Sequence, residues 1–167
     1  MNKVIGNISH MLLAGALFSN VQAADVLTQK NIGLEAANDI AKMSIDACRE
    51  KGFNVSAVVV DRHGNLRSAM RDDRAARPTL EIAQRKANMV IMAGIPSGRF
   101  RDARRDIQQE LNHIDGLIVM QGGLPVNAAG SLIGAIGVSG APGGEKDEAC
   151  AAIALKKITE RLEFADE

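Results

Sequence analysis

Apolar residues recur at helical spacing through residues 28–51, where Ala37, Ile40, Ala41, Ser44, Ala47 and Cys48 fall on one side. Thr28 stands as the cap of that helix and Gly52 as its stop. Residues 53–61 are a β-branched run, Arg62-His-Gly-Asn65 a turn, and residues 66–71 a second run; together they predict a hairpin. Pro78 suits the first turn of a helix that continues to Ala93 and ends at Gly94-Ile-Pro96. Residues 97–111 keep a helical pattern under heavy charge. Short runs at 117–120, 124–127 and 131–139 predict three more strands, and a helix over 144–162 closes the chain. The order is αββα(α)βββα. Hairpins rather than crossovers link the strands, so the expected fold is α+β, with an antiparallel sheet of about five strands and helices packed on it.

The first 23 residues follow another pattern. Lys3 gives a weakly positive start, residues 11–18 are apolar, and Val21-Gln-Ala23 has a small-x-small cleavage pattern. That is the layout of a secretory signal peptide, with an apolar run too short to span a bilayer; a buried first helix is the alternative. Residues 24–167 then make one domain, periplasmic or secreted, with no membrane span once the leader is removed.

Charge changes the picture through its distribution. The chain is formally neutral, yet residues 62–105 hold eleven Arg or Lys against four Asp or Glu, a net +7. Either this is a solvated helix face and loop, or it is a positive surface for an anionic partner. The chain has no Trp or Tyr, so it offers few platforms for stacked bases, which argues against nucleic acid. Two cysteines, Cys48 and Cys150, lie near the end of the first predicted helix and the start of the last. An oxidising compartment permits them to pair; two buried thiols are the alternative.

Several patterns invite chemistry. Gly134, Gly137 and Gly140 are spaced GxxGxxG, not GxGxxG, and no following strand carries an acidic residue about twenty positions on, which excludes a Rossmann fingerprint. Gly137-Val-Ser139-Gly140-Ala141 lies between strand and helix as a nucleophile elbow does, but Ala141 stands where that motif needs glycine. Ser139 and Gly140 instead suit an anion-holding nest of amides at a helix start. Glu145 and Glu148 form an ExxE pair able to hold a hard or ferrous ion, or simply to favour the first turn of a helix. Met89 and Met92 are core filling or soft axial ligands to haem iron. His113, in His-x-Asp, is a weak metal signal, and His63 belongs to the hairpin turn. Arg71, Arg77, Arg85 and Lys86 are able to clamp carboxylates such as haem propionates, or to pair with their own neighbours.

Six marks run in order along nearly the whole mature chain: Asp61-x-x-Gly64-x-Leu66, Arg71-x-Asp73, Ala83-x-x-Lys86-Ala87, Gly122-Gly-x-Pro125, Gly134-Ala-Ile-Gly-Val-Ser-Gly140 and Asp147-Glu148. By these the chain resembles the GlcG/HbpS family of small haem-binding-type proteins, which includes the C-terminal domain of PduO. The resemblance implies a profilin-like fold, homo-oligomers and, in some members, binding of haem or another tetrapyrrole. One exported member binds iron through ExxE pairs, which Glu145 and Glu148 match in type. Where the family has x-Thr-Ala after Lys-Ala, this chain has Asn88-Met89-Val90. The expectation is an exported, oligomeric, non-catalytic binder of haem or a related tetrapyrrole, acting in haem or iron handling or in redox sensing. Arg71 and Lys86 would neutralise the ligand's carboxylates, and Met89 or His113 would approach the metal. The competing expectation is an enzyme or accessory protein for a small organic acid, held without metal by Lys86 and the nest at Ser139 and Gly140. A third is a receptor or sensor partner.

Overall fold

The computed structural model describes residues 27–164, so the leader expected at residues 1–23 lies outside the described residues. Four strands form one antiparallel sheet: β1 (Ser56–Asp61), β2 (Leu66–Arg71), β3 (Gly123–Ala128) and β4 (Ser131–Ser139), in the order β2-β1-β4-β3. The helices are α1 (Leu34–Arg49), α2 (Pro78–Ala93), α3 (Ser97–Ala103), α4 (Gln108–Asn112) and α5 (Gly144–Glu163). Among the described residues no helix is long and apolar enough to cross a membrane.

Two expectations are corrected. Residues 117–120 form no strand, so among the described residues the sheet has four strands rather than about five. The Val119 N–H donates to Asn112 Oδ1 at 2.8 Å and the Met120 N–H to Ile118 O, so local partners take the groups a ladder needs. The first helix starts at Leu34, capped by Gly33, not at Thr28. Just before it, the Ile32 N–H donates to Ile133 O at 3.0 Å, which holds that approach to β4 and out of the helix.

β1 is buried at all six positions because both faces of the sheet are covered. Ala57, Val59, Ile136 and Val138 pack with α1 and α5, whereas Val58, Val60 and Ala135 pack with α2. Glycine sets how closely α2 lies. Gly123 and Gly137 face each other across β3 and β4. A Cβ on Gly137 would sit 1.9 Å from Ala83 O, and one on Gly123 would sit 2.6 Å from Lys86 O. The helix backbone therefore rests directly on the sheet.

On the other face a disulfide joins Cys48, near the end of α1, to Cys150, near the start of α5, with the Cα atoms 5.4 Å apart. It spans a sequence separation of 102, which in the chain-entropy model is worth about 4.7 kcal/mol. The double substitution Cys48→Ala, Cys150→Ala should therefore lower the urea unfolding free energy by as much as about 4–5 kcal/mol. An unchanged midpoint would show that the link restricts nothing the unfolded chain uses.

Candidate functional site

Lys86 points from the middle of α2 into the molecule and is 1% exposed. Its Nζ donates to Asp147 Oδ2 at 2.8 Å and to Val138 O at 2.9 Å. Asp147 lies in the first turn of α5, and its Oδ1 accepts the Ala141 N–H at 2.9 Å. The pair thus ties α2 on one face of the sheet to α5 on the other, past the end of β4. Gly122, at φ +126°, makes room for it: a Cβ there would lie 2.7 Å from Nζ. Burial pushes the Asp147 carboxyl above its ordinary range, against the pull of the Lys86 ammonium and the Ala141 amide.

This geometry corrects much of the expected ligand set. Lys86 has no access to a ligand's carboxylate, because its charge is buried and committed to Asp147. Ser139 is buried at the end of β4, opposite Ser56 of β1. Gly140, at φ +135°, packs so that a Cβ would lie 2.6 Å from Asn54 O. The Ala141 amide that would open the nest is spent on Asp147. Met89 is fully buried and has no route to an incoming ligand. The Arg71 guanidinium is exposed on β2, and its Nη1 donates to Ala75 O. His113 is exposed at the end of α4.

Glu145 is exposed, and Glu148, three residues on, is half-buried with an enclosed Oε2 that has no partner. Among the described residues no group of three His, Cys, Asp or Glu is placed to hold a metal ion. Two carboxylates alone leave most of an oxygen-ligated ion's coordination to water or to another chain.

Other motif residues also build the frame. Asp61 Oδ1 accepts the N–H groups of His63 and Asn65, each at 2.9 Å, and Oδ2 accepts Asn65 Nδ2 at 3.1 Å. These bonds shape the hairpin turn. Burial pushes the Asp61 carboxyl up, but the bonds from Asn65 and His63 outweigh it and hold the group below its ordinary value. Asp72 is buried against Arg49, whose Nε and Nη2 donate to its two oxygens at 2.8 and 2.7 Å. That fork holds the Asp72 carboxyl below its ordinary value of 3.8.

Sequence reasoning missed Asn88 as a site residue. Its Nδ2 donates to Gly116 O at 3.0 Å, tying α2 to the loop after α4, and its enclosed Oδ1 has no partner. The available signal was an amide inside an otherwise well-patterned helix. A cavity of about 610 Å³ opens between the start of α1 and the end of α5, floored by Ala36, Ala128, Ile133 and Leu162. Its size suits a small-molecule ligand. Among the described residues that line it there is no His, Met, Cys or Tyr, the side chains that ligate haem iron.

The family model described as "Haem degrading protein HbpS-like" matches residues 32–156. No curated protein matches the chain. Among solved structures, HbpS is 31% identical over 84% of this chain and 99% of its own, with a TM-score of 0.74. A double mutant of Streptomyces reticuli HbpS is 30% identical over 86% of this chain and 98% of its own, at 0.73. The Klebsiella pneumoniae protein ORFY is 28% identical over 81% of this chain and 95% of its own, at 0.74. A PduOC–haem complex, 21% identical over 75% of this chain and 94% of its own, shares the fold at 0.67.

Two measurements test the electrostatic frame. Lys86→Met strands the Asp147 carboxyl and is expected to cost about 3–5 kcal/mol, whereas adding Asp147→Leu removes both charges and should recover part of that loss. Strictly additive costs in urea unfolding would show the two groups to be uncoupled. The folded value of Asp72 lies below its unfolded value, so its contribution is present above pH 3.8 and is lost as pH falls through the folded value. The urea midpoint should drop on acidification below pH 3.8, and less steeply in Asp72→Asn.

Proposed function

This chain belongs to the HbpS-like family, and from that premise we propose that it binds haem or a related tetrapyrrole at its surface, between copies in a homo-oligomer. The observation that carries the reading is that exposed haem-ligating and apolar side chains stand on α2 and on the loop after α4, two segments that Asn88 ties together. His113 is exposed, Ile114 follows it at 49% exposure, and Met92 on α2 is 47% exposed. Asn88, one helical turn before Met92, bonds to Gly116 and so holds the loop after His113 against that part of α2. Imidazole and thioether are both haem-iron ligands, so the donor set fits the group. Arg99, exposed on α3 just past the end of α2, is a cation for the ring's carboxylates and makes no ion pair among the described residues. When bound, haem supplies the redox and gas-binding chemistry of its iron; the protein's part is to ligate, orient and shield.

An exposed patch covers one face of a flat ring, and enclosing the other requires a second protein surface. That is the physical support for the oligomer. The Cys48–Cys150 disulfide supports export through the leader at residues 1–23, because such links persist in oxidising compartments. Iron at Glu145 and Glu148 is a separate two-carboxylate site in this reading, completed by water. The small-acid alternative loses its cation, since Lys86 is already paired inside the molecule.

The test is a haemin titration of the purified protein, followed at the Soret band. Wild type should saturate at one haem per pair of chains, and His113→Ala should weaken binding at least about tenfold, equivalent to about 1.4 kcal/mol. Met89→Ala should leave haem affinity unchanged while lowering stability by about 2–5 kcal/mol, as a core truncation does. Absence of a saturable shift, or one indifferent to His113→Ala, would sink the reading.

A further inference from the structure

The two edges of the sheet are built differently. On β3, the Gly123 N–H is taken by Ser97 Oγ at 2.8 Å, and Pro125 has no N–H to give. Neither of these positions has a free N–H for a further strand, which disfavours pairing there. On β2, the Asp72 N–H donates to Val55 O at 3.0 Å, which fixes the alternation of the β1–β2 ladder. Counting back from that bonded pair, Met70 and Ser68 face β1, and the backbone groups of Ala69 and Arg71 point away from the sheet. Both residues are exposed, and their outward N–H and C=O groups find no partner among the described residues. β2 contains no proline, and no helix or loop in the described residues pairs with its outer side.

β2 itself carries charge of one sign, and basic residues predominate just beyond it, where Asp73 is the one exposed acid before α2. Arg67 and Arg71 are exposed on β2 itself, and Arg74 and Arg77 follow before α2. Arg67 and Arg77 make no ion pair among the described residues. This edge lies within residues 62–105, whose net charge is +7. Two β2 strands paired antiparallel across copies would crowd these arginines together, which disfavours self-association here.

We propose that the free edge of β2 docks an acidic, extended segment of a partner protein, which adds to the sheet as a fifth strand. The main-chain groups of Ala69 and Arg71 supply the ladder, and the arginines select acidic side chains. The proposal is independent of haem binding.

A short blocked peptide alternating glutamate and threonine, carrying a fluorophore, is the probe, with a lysine–threonine peptide as control. Fluorescence anisotropy should show saturable binding of the acidic peptide only. Arg67→Glu and Ala69→Pro should each weaken it at least about tenfold, or about 1.4 kcal/mol. Proline is tolerated at an edge position whose N–H faces outward, so Ala69→Pro should keep the fold. Amide hydrogen exchange on the unaltered chain provides a readout that depends on no variant: saturating peptide should slow exchange at Ala69 and Arg71. The proposal is overturned if binding is absent, if Ala69→Pro leaves it unchanged, or if those two amides exchange equally fast with and without peptide. It is also overturned if the amides are protected without peptide and lose protection on dilution, because a second copy then occupies the edge.

Discussion

The buried pair Lys86–Asp147 is the point on which the architecture closes. A lysine ammonium and an aspartate carboxylate have been taken out of water, a loss of hydration that their attraction offsets only when geometry is good and the remaining bonds are made. Here they are made: Val138 O accepts from the ammonium, and the Ala141 amide donates to the carboxylate. Each bond fixes a different element. Lys86 sets α2, Asp147 sets the first turn of α5, Val138 belongs to β4, and Ala141 to the loop between strand and helix. Three residues beyond Asp147, Cys150 binds α5 to the end of α1. One short path of contacts therefore fixes three helices against the sheet.

That arrangement explains why glycine is so dense around it. Gly122 must lack a side chain because Nζ occupies the space, and Gly137 must lack one because the backbone of α2 lies there. A helix resting on two facing glycines has little lateral freedom, and the ion pair fixes its position along the strand. The residues that carry the family resemblance are largely this frame. Asp61 shapes a turn, Lys86 and Asp147 pair, and the glycines seat a helix. The surface features proposed to bind ligand or partner, His113, Met92 and the arginines of β2, lie outward from it.

Local pattern made much of the fold legible. The helix expected over residues 78–93 and the strand over 131–139 form with those bounds, and the last helix starts at residue 144 as expected. Proline at a first turn and glycine at a helix end are local instructions that need no partner. The failures are of one kind. Residues 28–33 and 117–120 have periodicity suited to helix and strand, but groups outside those runs, Ile133 O far along the chain and Asn112 Oδ1 seven residues back, claim the Ile32 and Val119 amides. The candidate site failed for the same reason. A lysine in a helix, a serine after a glycine strand and a buried methionine look the same in sequence whether they serve a ligand or the core, because what distinguishes them is tertiary packing, for Lys86 a partner 61 residues away. Two thiols allow a single intramolecular pairing, yet the sequence left that pairing beside two buried thiols, and the approach of α1 to α5 decides it.

Charge on an exposed strand edge ordinarily protects it, because a lysine or arginine is costly to bury against another sheet. The β2 edge follows that rule only in part. Protection by charge works against any partner that offers no counter-charge, and β3 shows that this fold also has other means: a side-chain hydroxyl and a proline leave its outward positions Gly123 and Pro125 with no free N–H to donate. β2 uses neither. Its outward amides are left competent, and the charged residues within the strand, Arg67 and Arg71, are of one sign. Mixed charges would discriminate little between partners, because their attractions and repulsions largely cancel. A single sign repels a second copy of the same strand while attracting its electrostatic complement, so the same arginines that prevent indiscriminate pairing make selective pairing favourable.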